Sequence, residues 1–286
     1  MSGRRTLMIA SAAASGASSV PLTLTAASAG STVTLNKKGL PTVSGLQYRV
    51  GTSGDWSPYT VGTSLTLAAV GDAVQFRNTQ DTLSSTTSQY VKFAMTGSVA
   101  ASGNIMSMLN WREDCPQYCF AIMFSGCTAL TQAPALPATT LGEGCYNSMF
   151  YGCTALTQAP ALPATTLTNS CYANMFSGCT ALTQAPALPA TTLTINCYYY
   201  MFNGCSSLTQ APALPATTLT SGCYYYMFSG CTALTEIEVS LSAWKETCTS
   251  YWLANVSEVG TFIKPAALPE EYGADRIPTG WTVVNK

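Results

Sequence analysis

The sequence predicts a β domain followed by an α/β solenoid of 26-residue repeats with terminal caps. The pair Met-Phe recurs at a spacing of 26 residues, and the string TALTQAPALPATTL returns almost unchanged between the pairs. Short runs rich in Thr and Val, separated by turn residues, fill the segment before the repeats. Self-similarity at such a period indicates stacked units that bury their apolar faces against their neighbours.

Residues 1–20 are predicted to form a flexible N-terminal arm. Arg4, Arg5 and the apolar stretch behind them resemble a secretory leader, but that stretch is short and half alanine. We therefore expect the arm to stay attached and Arg4 and Arg5 to anchor the protein.

Residues 21–103 are predicted to form a small β-sandwich-like domain. The runs LTLTAA, STVTLN, LQYRV, TSLTLAAV, AVQFRN and YVKFAMTG are typical of short strands, and turn signals separate them. The residues expected to contribute to its core are Leu46, Tyr48, Trp56, Leu65, Val74, Phe76 and Phe93.

The rest of the chain divides into a solenoid and two caps. Residues 104–122 are predicted to form a helix-bearing N-terminal cap, since Ile105, Met108 and Leu109 recur at helical spacing. The solenoid spans 123–235, and 236–286 form the C-terminal cap, ending in two strands within GTFIKP and GWTVVN. Caps are needed because the end units would otherwise expose a core face to water.

Each repeat is predicted to contain one short helix and one extended segment. In LTNSCYANMFSGC, Thr168 or Asn169 suits a helix N-cap, and Gly178 suits a left-handed stop. The segment TALTQAPALP contains Pro186 and Pro189, which cannot donate to a sheet. Only a few residues of each extended segment should therefore pair between repeats.

Cysteines recur in two registers, each advancing by the repeat length. They are Cys119, Cys145, Cys171, Cys197 and Cys223, and Cys127, Cys153, Cys179, Cys205 and Cys231. We interpret them as two structural columns of buried thiols. Disulfides along a column would need convergent Cβ vectors, and metal ligation lacks histidine and close cysteine pairs, so neither alternative is favoured.

Tyrosines fall into two groups. Tyr146, Tyr172, Tyr198 and Tyr224 occupy one position in every full repeat, as core packing would require. The two following positions vary, and in two repeats both hold tyrosine. We expect an exposed aromatic patch there that contacts a glycan or a protein, although a solvated surface or a subunit contact is equally consistent with the pattern. The candidate residues are Tyr199, Tyr200, Tyr225, Tyr226 and, as an addition, Tyr151.

Several function classes are disfavoured by composition. The absence of histidine removes the commonest general base and metal ligand, and the acidic residues do not suggest a catalytic pair. Charged residues make up only 9% of the chain, without the clustered Lys and Arg of a nucleic-acid surface. No apolar run is long enough for a membrane span. We expect no enzyme activity, cofactor, metal, nucleic acid or transmembrane segment.

The repeat CYxxMFxGCTALTxAPxLPATTL resembles the BspA-like leucine-rich-repeat surface proteins, in particular their mycoplasma-type variant. Met149-Phe150, Gly152-Cys153 and Leu156 carry the resemblance and keep their spacing through the repeats. The flanking strings LQYRVGTSGDWSPYT and IPTGWTVVN are similar to companions of such repeats in gut bacteria and their phages. The resemblance implies a leucine-rich-repeat-like solenoid that displays a binding surface, often for adhesion.

We therefore expect a displayed, non-enzymatic binding module. Without a convincing leader, a phage virion structural protein on the virion surface is favoured, such as a head or tail fibre or a capsid decoration. An exported adhesin, bacterial cell-surface or secreted, is the alternative. The expected partners are other virion or surface proteins, through the N-terminal part, and a host surface glycan or protein. The sequence is also compatible with a homo-oligomer such as a trimer.

Overall fold

A computed structural model describes residues 19–39 and 43–286 of the chain. Arg4, Arg5 and most of the predicted arm lie outside the described residues. The elements in chain order are β1 Leu22–Ala26, β2 Ser31–Lys38, β3 Leu46–Val50, β4 Ser57–Pro58, β5 Ser64–Leu67, β6 Ala73–Asn78, β7 Tyr90–Thr96, β8 Val99–Ser102, a 3-10 helix Ile105–Leu109, β9 Asp114–Cys115, β10 Leu130–Gln132, β11 Thr140–Leu141, β12 Glu236–Glu238, β13 Thr261–Lys264 and β14 Thr282–Asn285.

The N-terminal part contains two sheets. One has the strand order β10-β8-β1-β6-β3-β4, and the other has the order β5-β2-β7. Alternation places Val33 and Leu35 of β2 in the core, whereas Thr34 between them is partly exposed. Phe76 and Phe93 join the two sheets by an edge-to-face contact with ring centroids 5.3 Å apart.

The predicted core of this part is correct except at one aromatic residue. Leu46, Val74, Phe76 and Phe93 are buried, and Tyr48 and Leu65 pack against the core from partly buried positions. Trp56 does not belong to the core. It precedes the edge strand β4 and lies instead under two arginine side chains on the outer face of the six-stranded sheet.

The prediction of an α/β leucine-rich-repeat-like solenoid is wrong. The described residues form strands and turns, with one 3-10 helix and no α-helix. Where each repeat was predicted to have a short helix, it has a turn segment, which is residues 168–179 in one repeat and the equivalent residues in the others.

The backbone of the turn segment explains why it is not a helix. Ser170, Asn174 and Gly178 have φ values of 54°, 56° and 75°, so every fourth residue is left-handed. An α-helix excludes that conformation. The buried side chains likewise recur every four residues, as the pairs Cys171-Tyr172 and Met175-Phe176. The sequence period is therefore four, and not the 3.6 of an α-helix.

Backbone hydrogen bonds of the turn segment alternate between two kinds of partner. The amides of Ala173 and Met175 donate to carbonyls three residues earlier, at 3.1 and 3.2 Å. The amides of Tyr172 and Asn174 donate instead to the next repeat, at 3.1 and 2.7 Å. The same left-handed spacing recurs in turn segments from Tyr118 to Asn255. Half of the amides in each turn segment thus tie neighbouring repeats together.

The extended segments pair only locally, as their prolines require. Isolated bridges join Gln158 to Gln184 and Gln210 to Glu236. At the C-terminal end, β12, β13 and β14 form a parallel sheet that includes both expected terminal strands.

The first repeat continues directly from the N-terminal sheets. Strand β10 pairs with β8, and the amide of Phe93 donates to the carbonyl of Met123 at 2.7 Å. The Phe93 ring stacks on Phe124 at 5.1 Å and begins a column of parallel phenylalanines. That column continues through Phe150, Phe176, Phe202 and Phe228.

Candidate functional site

Four of the candidate tyrosines lie together on the outer side of two adjacent turn segments. Cys197-Tyr198 and Met201-Phe202 point into the core, so the intervening Tyr199 and Tyr200 point outward and are partly exposed. Tyr225 and Tyr226 are placed in the same way in the following repeat.

Their rings form two stacked columns. Tyr199 stacks on Tyr225 with centroids 5.1 Å apart and planes 2° apart, and Tyr200 stacks on Tyr226 at 4.7 Å and 4°. Within one repeat the two rings are tilted by 51° or 52°. Stacking covers much of the ring faces along each column, so the columns present mainly ring edges on one continuous surface.

A fifth ring, Tyr251, extends the surface and was missed by the sequence reasoning. It stacks on Tyr226 at 5.0 Å and is 48% exposed. Cys248 follows Cys223 by 25 residues, and the amide of Tyr226 bonds to the carbonyl of Ser250, so the turn pattern continues one residue out of register. The spacing Cys-x-x-Tyr, which Cys248 and Tyr251 share with Cys223 and Tyr226, was the sequence signal that could have identified Tyr251. We call Tyr199, Tyr200, Tyr225, Tyr226 and Tyr251 the tyrosine strip.

Tyr151 is not part of the strip. It is 49% exposed, but it lies at a different repeat position, in which other repeats have Ser177, Asn203 and Ser229. No ring contact joins it to the strip in the described part of the chain. The constant tyrosines are at most 1% exposed; they are Tyr146, Tyr172, Tyr198 and Tyr224.

The strip ends at a polar hollow of about 430 Å³. Tyr251 and Tyr272 line the hollow with Asp275, Arg276 and Glu271. The amide of Tyr251 donates to Asp275 Oδ1 at 2.7 Å, and Arg276 pairs with Glu271 at 2.9 Å. Flat aromatic rings beside carboxylate and guanidinium groups can hold a ligand that has both apolar faces and hydroxyl groups.

Two tyrosines of the strip have raised pKa values. Burial and the neighbouring Tyr199 ring raise the pKa of Tyr200 to about 12. Burial and Tyr225 also raise the pKa of Tyr226. Both residues are therefore neutral phenols that can donate a hydrogen bond as well as stack.

All ten cysteines of the two registers are buried and free. Those of the second register have a role beyond packing, since each thiol donates at 3.1 Å to a phenylalanine carbonyl, which belongs to β7 for Cys127 and to the preceding repeat for the other four. The pairs are Cys127 with Phe93, Cys153 with Phe124, Cys179 with Phe150, Cys205 with Phe176 and Cys231 with Phe202. A small thiol therefore serves both as an apolar filler and as a weak donor.

Thiols also meet at the N-terminal end of the first register. Cys115 Sγ lies 3.0 Å from the hydroxyl of Tyr146. Hydrogen bonds from Cys119 and Cys145 lower the pKa of Cys115 to about 5, whereas burial raises the pKa of Cys119 and of Cys145. No group of metal-ligating side chains suited to a metal ion is found among the described residues.

Comparison of the chain with protein-family models, curated proteins and solved structures found no match. The resemblance to BspA-like proteins therefore stays an expectation from the repeat sequence. Within residues 19–39 and 43–286, no helix has the length and apolar character to cross a membrane.

Proposed function

We propose that this protein is a non-enzymatic binding module in which the tyrosine strip contacts a glycan or protein on a host surface. The observation that carries the proposal is the stacking of five tyrosines, four partly exposed and one exposed, on three successive turn segments. Tyrosine gives a large, rigid contact area at a low entropic cost, so the surface is suited to recognition.

The backbone at the strip adds support. Tyr200, Tyr226 and Tyr251 have φ values of 55°, 52° and 52°, a conformation that a bulky residue adopts at a cost. The equivalent position in an earlier repeat has Asn174, which tolerates it. A side chain that strains the backbone without joining the core is more readily explained by recognition than by folding.

We favour display on a virion, as a fibre or capsid decoration, with a bacterial surface adhesin as the alternative. Several copies on one particle would raise the avidity of weak individual contacts. In either setting the turn segments act as a scaffold that holds the rings at fixed spacing.

A variant that copies the chain's own repeat tests the proposal. Tyr199→Ala, Tyr200→Asn, Tyr225→Ala and Tyr226→Asn together reproduce the Ala173-Asn174 sequence, which the fold already accommodates. Tyr151→Ser is the matched control, since it removes an exposed tyrosine outside the strip.

Binding is measured on a glycan array and on immobilised bacterial cells, with and without protease treatment of the cells. The strip variant should lose at least tenfold in affinity, which corresponds to about 1.4 kcal/mol, while its melting temperature stays near that of the unmodified protein. Protease-sensitive binding would identify a protein ligand, and protease-resistant binding a glycan. Equal binding by the strip variant and by Tyr151→Ser would refute the proposal.

A further inference from the structure

Two arginines share one tryptophan on the outer face of the six-stranded sheet, far along the chain from the tyrosine strip. The guanidinium carbons of Arg49 and Arg77 lie 4.7 and 4.3 Å from the centroid of Trp56. In the register of β3 and β6, Arg49 is opposite Gln75 and Arg77 is opposite Gln47, so both arginines project from the same face. We call Arg49, Trp56 and Arg77 the Arg-Trp-Arg cluster.

Neutral amides hold both arginines in position. Arg49 Nε donates to Gln75 Oε1 and Arg77 Nε donates to Gln47 Oε1, each at 2.7 Å. Gln75 is fixed in turn, because its Nε2 donates to Thr23 Oγ1 at 2.9 Å. These bonds use the Nε group of each guanidinium. Both Nη groups of Arg77 and Nη2 of Arg49 have no hydrogen-bond partner within the described residues.

The positive charges of the cluster are not neutralised. The ion pairs found in the described part of the chain involve Arg112, Arg276 and Lys286, and none involves Arg49 or Arg77. The shared ring keeps the two charges within about 9 Å of one another. Both side chains are partly exposed, so an anion from solution can reach them.

We propose that the Arg-Trp-Arg cluster binds the acidic groups of a polyanionic polysaccharide. The two Nη groups of Arg77 form a fork that matches the paired oxygens of a carboxylate or a sulfate. Arg49 adds its Nη2, because its Nη1 donates to the Gly54 carbonyl at 3.3 Å. Nucleic acid binding needs more basic contacts than the two arginines of the cluster supply. A polysaccharide with one acidic group on each sugar fits, because one polymer can bind many copies of the protein through weak individual contacts.

The full-length protein is tested by affinity electrophoresis in gels that contain polygalacturonate, dextran sulfate or neutral dextran. The variants are Arg49→Gln and Arg77→Gln, and the matched control is Arg112→Gln, which removes the same charge from the pair with Asp114. The protein should be retarded by at least one of the two acidic polymers at low salt and not by neutral dextran. Each cluster variant should bind at least about tenfold more weakly, and the control should bind as the unmodified protein does.

The pattern of retardation also identifies the acidic group. Retardation by polygalacturonate alone supports a carboxylate, and retardation by dextran sulfate alone supports a sulfate. The proposal is overturned if neither polymer retards the protein, if the control loses as much binding as the cluster variants, or if single-stranded DNA competes equally well. If Arg77→Gln does not fold, Arg77→Lys replaces it, because lysine retains the charge without the fork. Unchanged binding by Arg77→Lys would then refute the proposed role of the fork.

Discussion

Replacing Tyr172 by phenylalanine should stabilise the protein, whereas the same replacement at Tyr146 should destabilise it. The two residues occupy equivalent positions in neighbouring repeats, and their rings stack at 5.8 Å with planes 3° apart. Each is 1% exposed. Their hydroxyl groups differ, because that of Tyr146 lies 3.0 Å from Cys115 Sγ, whereas that of Tyr172 has no partner among the described residues.

The magnitudes follow from the two hydroxyl environments. A buried hydroxyl without a partner costs about 1–3 kcal/mol, so Tyr172→Phe should raise the free energy of unfolding by about 1 kcal/mol. A satisfied hydrogen bond contributes about 0.5–1.5 kcal/mol, so Tyr146→Phe should lower it by about that amount. The ring and its packing are unchanged in both variants. The two should therefore differ by about 2 kcal/mol with opposite signs.

Thermal unfolding followed by circular dichroism measures the difference. A change of 1 kcal/mol shifts the melting temperature by about 2–4 °C in chains somewhat shorter than this one. The double variant should melt between the two single variants. A melting temperature of Tyr172→Phe below that of the unmodified protein would refute the reasoning, because it would mean that the hydroxyl is satisfied in the folded state.

Three further predictions concern the turn segments. Cys179→Ala should lower the free energy of unfolding by about 1–2 kcal/mol, and Cys179→Ser should lower it less, because a hydroxyl can still donate to the Phe150 carbonyl. Urea denaturation measures both variants, and a larger loss for serine than for alanine would contradict the proposed donor role. Asn174→Gly should leave the melting temperature unchanged or raise it, because φ at this position is 56° and glycine adopts that conformation freely. Asn174→Val should lower the free energy of unfolding by about 1–2 kcal/mol. Equal melting temperatures of the two variants would contradict the requirement for a left-handed residue. Burial raises the pKa of Cys171 to about 11 and of Cys179 to about 12, above the ordinary value of 9.0. The stability that the two neutral thiols contribute is therefore complete below pH 9.0 and is lost as the pH rises towards 12. Circular dichroism and thiol reactivity should therefore change together in that range, and thiols that titrate while the native spectrum persists would contradict the linkage.

The strands of the N-terminal part could be located from local sequence. Alternation along β2 follows directly from side-chain direction in a strand, and it separates buried Val33 from partly exposed Thr34. Trp56 was assigned wrongly because a large aromatic residue next to a turn suits either a core or a surface cluster. Its place was decided by Arg49 and Arg77, which come from different strands.

The turn segments were misread because their period is close to that of a helix. Cys171, Met175 and Cys179 are four residues apart, and over so short a stretch a period of 4.0 is hard to separate from 3.6. Asn174 and Gly178, at the same spacing, were the sign of a recurring left-handed residue. Half of the amides bond to a neighbouring repeat, and that contribution is not visible in the sequence of one repeat.

The sequence by itself determined the 26-residue period, the buried and outward-facing positions within it and the candidate tyrosines. These features depend on which residues recur from repeat to repeat. Any stacking of the repeats then places equivalent residues in a column. Only the tertiary structure decided the backbone conformation of the turn segments, the addition of Tyr251 to the strip and the meeting of Arg49, Trp56 and Arg77. Those features depend on hydrogen bonds and contacts between residues that are distant along the chain, and local propensity does not contain them.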